Sequence, residues 1–112
     1  MIITKSEPLT LAEIEQTQEE HEAYIKAVID LKKKICSSGA AQHRDSYEML
    51  AKNGSQHSDT WGGGIISNTK EITYTSMINI RPNEGNISNA IENSEIKQQF
   101  TELLKYFFQK IL

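Results

Sequence analysis

The run ITYTSMINI, from Ile72 to Ile80, decides the fold. Ile72, Tyr74, Ser76, Ile78 and Ile80 alternate with Thr73, Thr75, Met77, Asn79 and Arg81. A strand turns successive side chains to opposite faces, so this alternation predicts a strand with one apolar and one semi-polar face. Pro82 ends it, and Asn83 to Asn86 has the Pro, Asn and Gly content of a turn. Upstream, Trp61 opens a glycine run, Gly62 to Gly64, that leads to Ile65 and Ile66, with a turn at Asn68 to Lys70. The two runs predict a hairpin.

Downstream, Asn93 or Ser94 caps a helix in which Ile96, Phe100, Leu103, Leu104, Phe107, Phe108 and Ile111 recur at helical spacing. That face is broad enough to cover a sheet. At the other end, Ile2 to Lys5 reads as a short strand broken by Pro8. Thr10 and Glu13 form a capping box, which predicts a polar surface helix from Leu11 to about His21. Asp45 and Glu48 repeat that signal and predict a helix from Ser46 to Asn53, with Gly54 as its left-handed C-cap. Residues 23–36 suit two periods. Ala23, Ile25, Ala27, Ile29 and Leu31 alternate as in a strand, while Ile25, Val28, Ile29, Lys32 and Ile35 recur as in a helix.

The chain of 112 residues suits a single domain, residues 1–112, with no linker or repeat. A net charge of −3 disfavours non-specific grip on phosphate backbones. Cys36 is the sole cysteine, so no intrachain disulfide forms, which fits a reducing, cytoplasmic setting. No stretch approaches a membrane span, and the opening MIITK is too short for the apolar part of a signal peptide. No membrane partner is expected.

The block SMINIRPNEGNIS, Ser76 to Ser88, carries a further signal. Taken with Gly54-Ser55, Trp61-Gly62 and the ordered pair His43 and Asp45, it resembles a small prokaryotic family known only as a domain of unknown function. The resemblance spans nearly the whole chain. It implies that Tyr24 to Ala41 is a strand hairpin turning near Leu31 to Lys33. It brings no activity, cofactor or partner. The family carries arginines just after its Gly-Asn pair, where this chain has Ile87 and Asn89, and Lys97 keeps a further basic position. The resemblance therefore implies no anion binding at these positions.

Several constellations bear on chemistry. Asn79 and Arg81 share a face of the expected strand, and the turn brings Asn86 and Ser88 near them. Together they predict a polar pocket in which Arg81 grips a carboxylate or phosphate. The plainer reading gives Arg81 an acidic partner and leaves the asparagines to satisfy turn backbone. His43 and Asp45, with Glu48, offer a divalent metal site or an acid–base pair, with His57 or Asp59 as a distant third ligand. Helix capping explains Asp45 and Glu48 without any metal. Gly62 to Gly64 lacks the context of a phosphate-binding loop and reads as a close approach of another group. Cys36 with His43 is a weak nucleophile pair, since nothing fixes their distance. Lys26 and Lys32 to Lys34 form a basic run without interleaved aromatics, so nucleic acid is not expected as a partner.

The expectation is an α+β, two-layer domain: an antiparallel sheet of four to five strands with the C-terminal helix on one face and the first two helices at the edges. The other face is solvated, a binding surface, or the interface of a homodimer. The function expected is that of a small non-enzymatic binding or interaction domain, with a polar pocket near the Asn79/Arg81 strand end and no cofactor. The alternative is a small metal-assisted hydrolase or nuclease using His43 and Asp45.

Overall fold

Polar side chains set where most elements begin. In the computed structural model, which describes residues 1–112, the Thr10 hydroxyl accepts from the Glu13 N–H and the Glu13 carboxylate accepts from the Thr10 N–H. This box starts α1 (Leu11–Thr17), which ends four residues before the expected His21. Asp30 does the same for a turn. Its Oδ1 accepts from the N–H groups of Lys32 and Lys33, at 3.0 and 2.8 Å, and its carbonyl accepts from Lys34. The turn joins β2 (Tyr24–Asp30) to β3 (Ile35–Ser38) as the hairpin the resemblance implied.

These strands lie inside a five-stranded, wholly antiparallel sheet. The order is β1-β3-β2-β4-β5, with β1 Ile3–Lys5, β4 Thr60–Ile66 and β5 Ile72–Thr73. Ile25, Ala27 and Ile29 of β2 stand opposite Ile65, Gly63 and Trp61 of β4. Against this face packs α3 (Ser94–Phe107), capped by the Asn93 side chain as predicted. Phe100, Leu104, Phe107 and the following Phe108 are fully buried there, and Ile14 of α1 joins them. Gly63 makes this possible, because a Cβ at that position would run into the Phe100 ring and the Thr73 carbonyl.

The second helix departs from expectation in two ways. It spans His43–Lys52, so it begins before Asp45, and its N-cap residue is Gln42, which makes no side-chain bond. Asp45 lies in the first turn, where its charge favours the helix dipole but caps nothing. Expected at an edge, α2 instead lies across the second face of the sheet over β2 and β3, where Leu50 and Val28 are buried. Gly54 does take the left-handed conformation just beyond its end, at φ +91.

The largest difference concerns the run from Ile72 to Ile80. It pairs with β4 only at Ile72 and Thr73. Ser76 turns the chain, its hydroxyl accepting from the Ile78 N–H, and Met77–Asn79 forms a 3-10 turn. Asn79 and Arg81 therefore do not share a strand face.

Candidate functional site

Residues 74–92 leave β5 and return beside themselves. Thr75 bridges Ala90, and Arg81 bridges Asn86, both antiparallel. A second 3-10 turn, Pro82–Glu84, makes the reversal, and Gly85 closes it at φ 84, a left-handed value that suits glycine.

Three of the four polar residues singled out in the sequence meet beneath this loop. Asn79 is fully buried. Its Oδ1 accepts from the Gly62 N–H and its Nδ2 donates to the Gly62 carbonyl, both at 2.9 Å. Gly62 lies two residues before Gly64, the β4 residue that pairs with Thr73. The amide of Asn79 thus occupies the ladder position that a longer β5 would have filled. Asn79 Nδ2 also donates to the carbonyls of Tyr74 and Asn89. Asn86, equally sheltered, donates to the carbonyls of Asn79, Ser88 and Ala90 and accepts from the Glu92 N–H.

Arg81 is buried and lays its guanidinium over the Trp61 ring, 3.8 Å from the centroid. Nη1 donates to the His57 carbonyl, and Nη2 donates to the carbonyls of Thr60 and Ile78. No carboxylate pairs with it: the three ion pairs of the chain join Met1 to Glu19, Lys5 to Glu13 and Arg44 to Glu48. Its Nε has no partner. Burial pushes its pKa down, yet a guanidinium starts too high to lose its charge. Ser88 stands apart on the surface, where its hydroxyl and N–H both donate to Glu92 at 2.7 Å and hold that carboxylate below its usual range.

The other candidates scatter. His43 Nε2 lies 2.7 Å from the Gly63 carbonyl, and burial pushes its pKa down, so at neutral pH the ring is neutral and donates through Nε2. His43 borders a hollow with Ser76 and Met77, whereas Asp45 borders another with Met1 and Gly39. No three His, Cys, Asp or Glu side chains of the chain gather as a metal site. Burial pushes the Cys36 thiol up to about 12, which keeps it protonated and unreactive. Lys32 to Lys34 occupy the exposed turn between β2 and β3, while the Lys26 ammonium donates to the Ala41 carbonyl.

The sequence reading missed the outer side of the loop. Met77 is 75% exposed, Ile87 73% and Ile80 38%. Met77 and Ile80 are three apart across a 3-10 turn, which aligns them. The Arg81–Asn86 bridge sets Ile80 opposite Ile87. These three exposed apolar side chains mark the outer side of the loop as its crest. The available signal was Ile87, a large apolar residue inside the turn-forming string PNEGNIS, with no element of its own to bury it.

The family model described as "Protein of unknown function (DUF5674)" matches residues 1–107. The chain belongs to this family. Within the DUF5674 family match fall the whole sheet, α2, α3 and the braced loop. No curated protein and no solved structure matches the chain. No helix is long and apolar enough to cross a membrane.

Proposed function

We propose that this chain is a non-enzymatic interaction domain of the cytoplasm that docks a protein partner on the crest of Met77, Ile80 and Ile87. One observation carries the reading: three large apolar side chains stand in solvent on a loop braced from below by Asn79, Arg81 and Asn86. Exposed apolar clusters on soluble domains mark interaction sites. Bracing fixes the loop before any partner arrives, so little ordering entropy opposes binding. Asn79, Arg81 and Asn86 serve as the frame of the binding surface, and Ser88 with Glu92 holds its return strand. The crest replaces the open sheet face as the place for a partner, since α2 covers β2 and β3 on that side.

The test is to titrate the labelled chain with a library of small aromatic and aliphatic fragments and follow backbone amide shifts. Shifts grouped on residues 76–88, and abolished by Met77→Ser, support the crest as the binding surface. Shifts grouped elsewhere, or unchanged by Met77→Ser, overturn it.

A further inference from the structure

Five hollows of substantial size indent the surface. One adjoins the crest, with a volume of about 240 Å³, and is bordered by Gln42, His43, Arg44, Ser76, Met77 and Ile78. Each of the other four has at least one carboxylate on its border: Glu15, Glu19, Glu20 and Glu22 in one, Glu102 in the next, Glu84 and Glu92 in the third, Glu20 and Asp45 in the fourth. In a chain of net charge −3, the hollow beside the crest has a cation, Arg44, and no acid.

Arg44 is free to take a new partner. It meets Glu48 only at 3.7 Å, with both side chains mostly in water. Such a pair contributes at most about 1 kcal/mol. Beside it α2 begins without a side-chain cap, so its first-turn N–H groups carry partial positive charge near Gln42 and His43, and Asp45 of the same turn, on the border of another hollow, offsets part of it. Lys26 adds a further positive charge near His43. The neutral ring of His43 repels no anion, and its Nε2 is held by Gly63.

The crest alone is too small for a lasting dimer. Three side chains fall well short of the roughly 800 Å² that each partner buries in a standard interface. A short segment that anchors one or two apolar side chains fits that size.

Resting on the interaction reading above, we infer that the partner is a peptide segment pairing an acidic residue with neighbouring large apolar residues. Its apolar side chains meet Met77, Ile80 and Ile87, and its carboxylate enters the hollow beside Arg44 at the start of α2.

Random-peptide display against the immobilised full chain tests this, followed by affinity measurements on the enriched peptides. Expected are peptides carrying Asp or Glu next to Leu, Ile or Phe. Replacing that acid by its amide should weaken binding about tenfold, as should Arg44→Glu, while Met77→Ser should remove binding. Both variants alter exposed side chains and should melt as the wild type does. Enriched peptides that need Met77 but are neutral or basic, and ignore Arg44→Glu, overturn the acidic partner and leave the interaction surface standing. Enriched peptides indifferent to Met77→Ser, or none enriched at all, overturn both. Sedimentation showing a wild-type dimer that Met77→Ser dissociates assigns the crest to a second copy and likewise overturns the peptide.

Discussion

The two sides of β4 are ordered by opposite means. Toward α3, carbon meets carbon: Ile65 and Trp61 join Phe100, Leu104 and Phe107, and Gly63 gives way to an aromatic ring. Toward the 74–92 loop, polar atoms meet backbone: Asn79, Arg81 and Asn86 answer carbonyls and N–H groups of chain that forms almost no regular structure. The first arrangement draws its stability from area removed from water and tolerates changes of shape that keep volume. The second draws its stability from directed bonds, and a buried group left without its partner is costly. A small domain with a short helix-covered core can thus hold a long, irregular loop still, provided its few buried polar side chains are all in place.

The contrast can be pressed from both sides by denaturant unfolding. Phe100→Ala empties the centre of the apolar side and should cost about 4 kcal/mol. Asn79→Ala removes far less volume but strands the N–H and carbonyl of Gly62, and should cost about 3 kcal/mol. Asn79→Leu should recover none of this. A stable Asn79→Leu variant would mean the loop is packed, not bonded, and the contrast would fail. Arg81→Lys keeps the charge but cannot reach three carbonyls in a planar fork or stack on Trp61 in the same way, and should cost about 2 kcal/mol.

A smaller effect comes from pH. Burial lowers the pKa of His43 from its ordinary 6.5, and burial together with Arg81 lowers that of His57. As pH falls below about 6.5 the unfolded chain takes up these protons first. Stability should therefore decline from about pH 6.5 downward through the folded pKa values, and His43→Gln should flatten part of that slope. A slope unchanged in His43→Gln would show that the ring is no more sheltered than in the unfolded chain. Smallest of all, Met77→Ser should shift stability by no more than about 0.5 kcal/mol, because the side chain already stands in water.

Local signals with a direct mechanism were legible in the sequence. The Thr10–Glu13 box, the Asn93 cap, Gly54 and the apolar stripe of α3 each act over a few residues, and each is where the sequence put it. The hairpin from Tyr24 was ambiguous by period, because Val28 packs toward α2 while Ile25, Ala27 and Ile29 pack toward α3, which makes both strand faces apolar. Asp30, whose side chain builds the turn, was the unused clue. The run from Ile72 misled for a physical reason. Its alternation is genuine, but strand pairing competes with the Asn79 amide for the backbone of Gly62, and the amide wins. No periodicity records such a long-range bond. For the site, Asn79, Arg81 and Asn86 come together around an irregular loop and not along the expected strand, Ser88 stands apart, and Ile87 was overlooked because a lone apolar residue in a turn matches no template.

A two-residue β5 leaves β4 with unspent pairing capacity on its outer side, the kind of rim along which sheets recruit foreign strands and grow into fibrils. The carboxamide of Asn79 takes up that rim at Gly62, and the guanidinium of Arg81 takes it up at the Thr60 carbonyl. With those groups taken up, little of the rim is left to template a foreign strand, an end other sheets reach with charges, prolines or bulges.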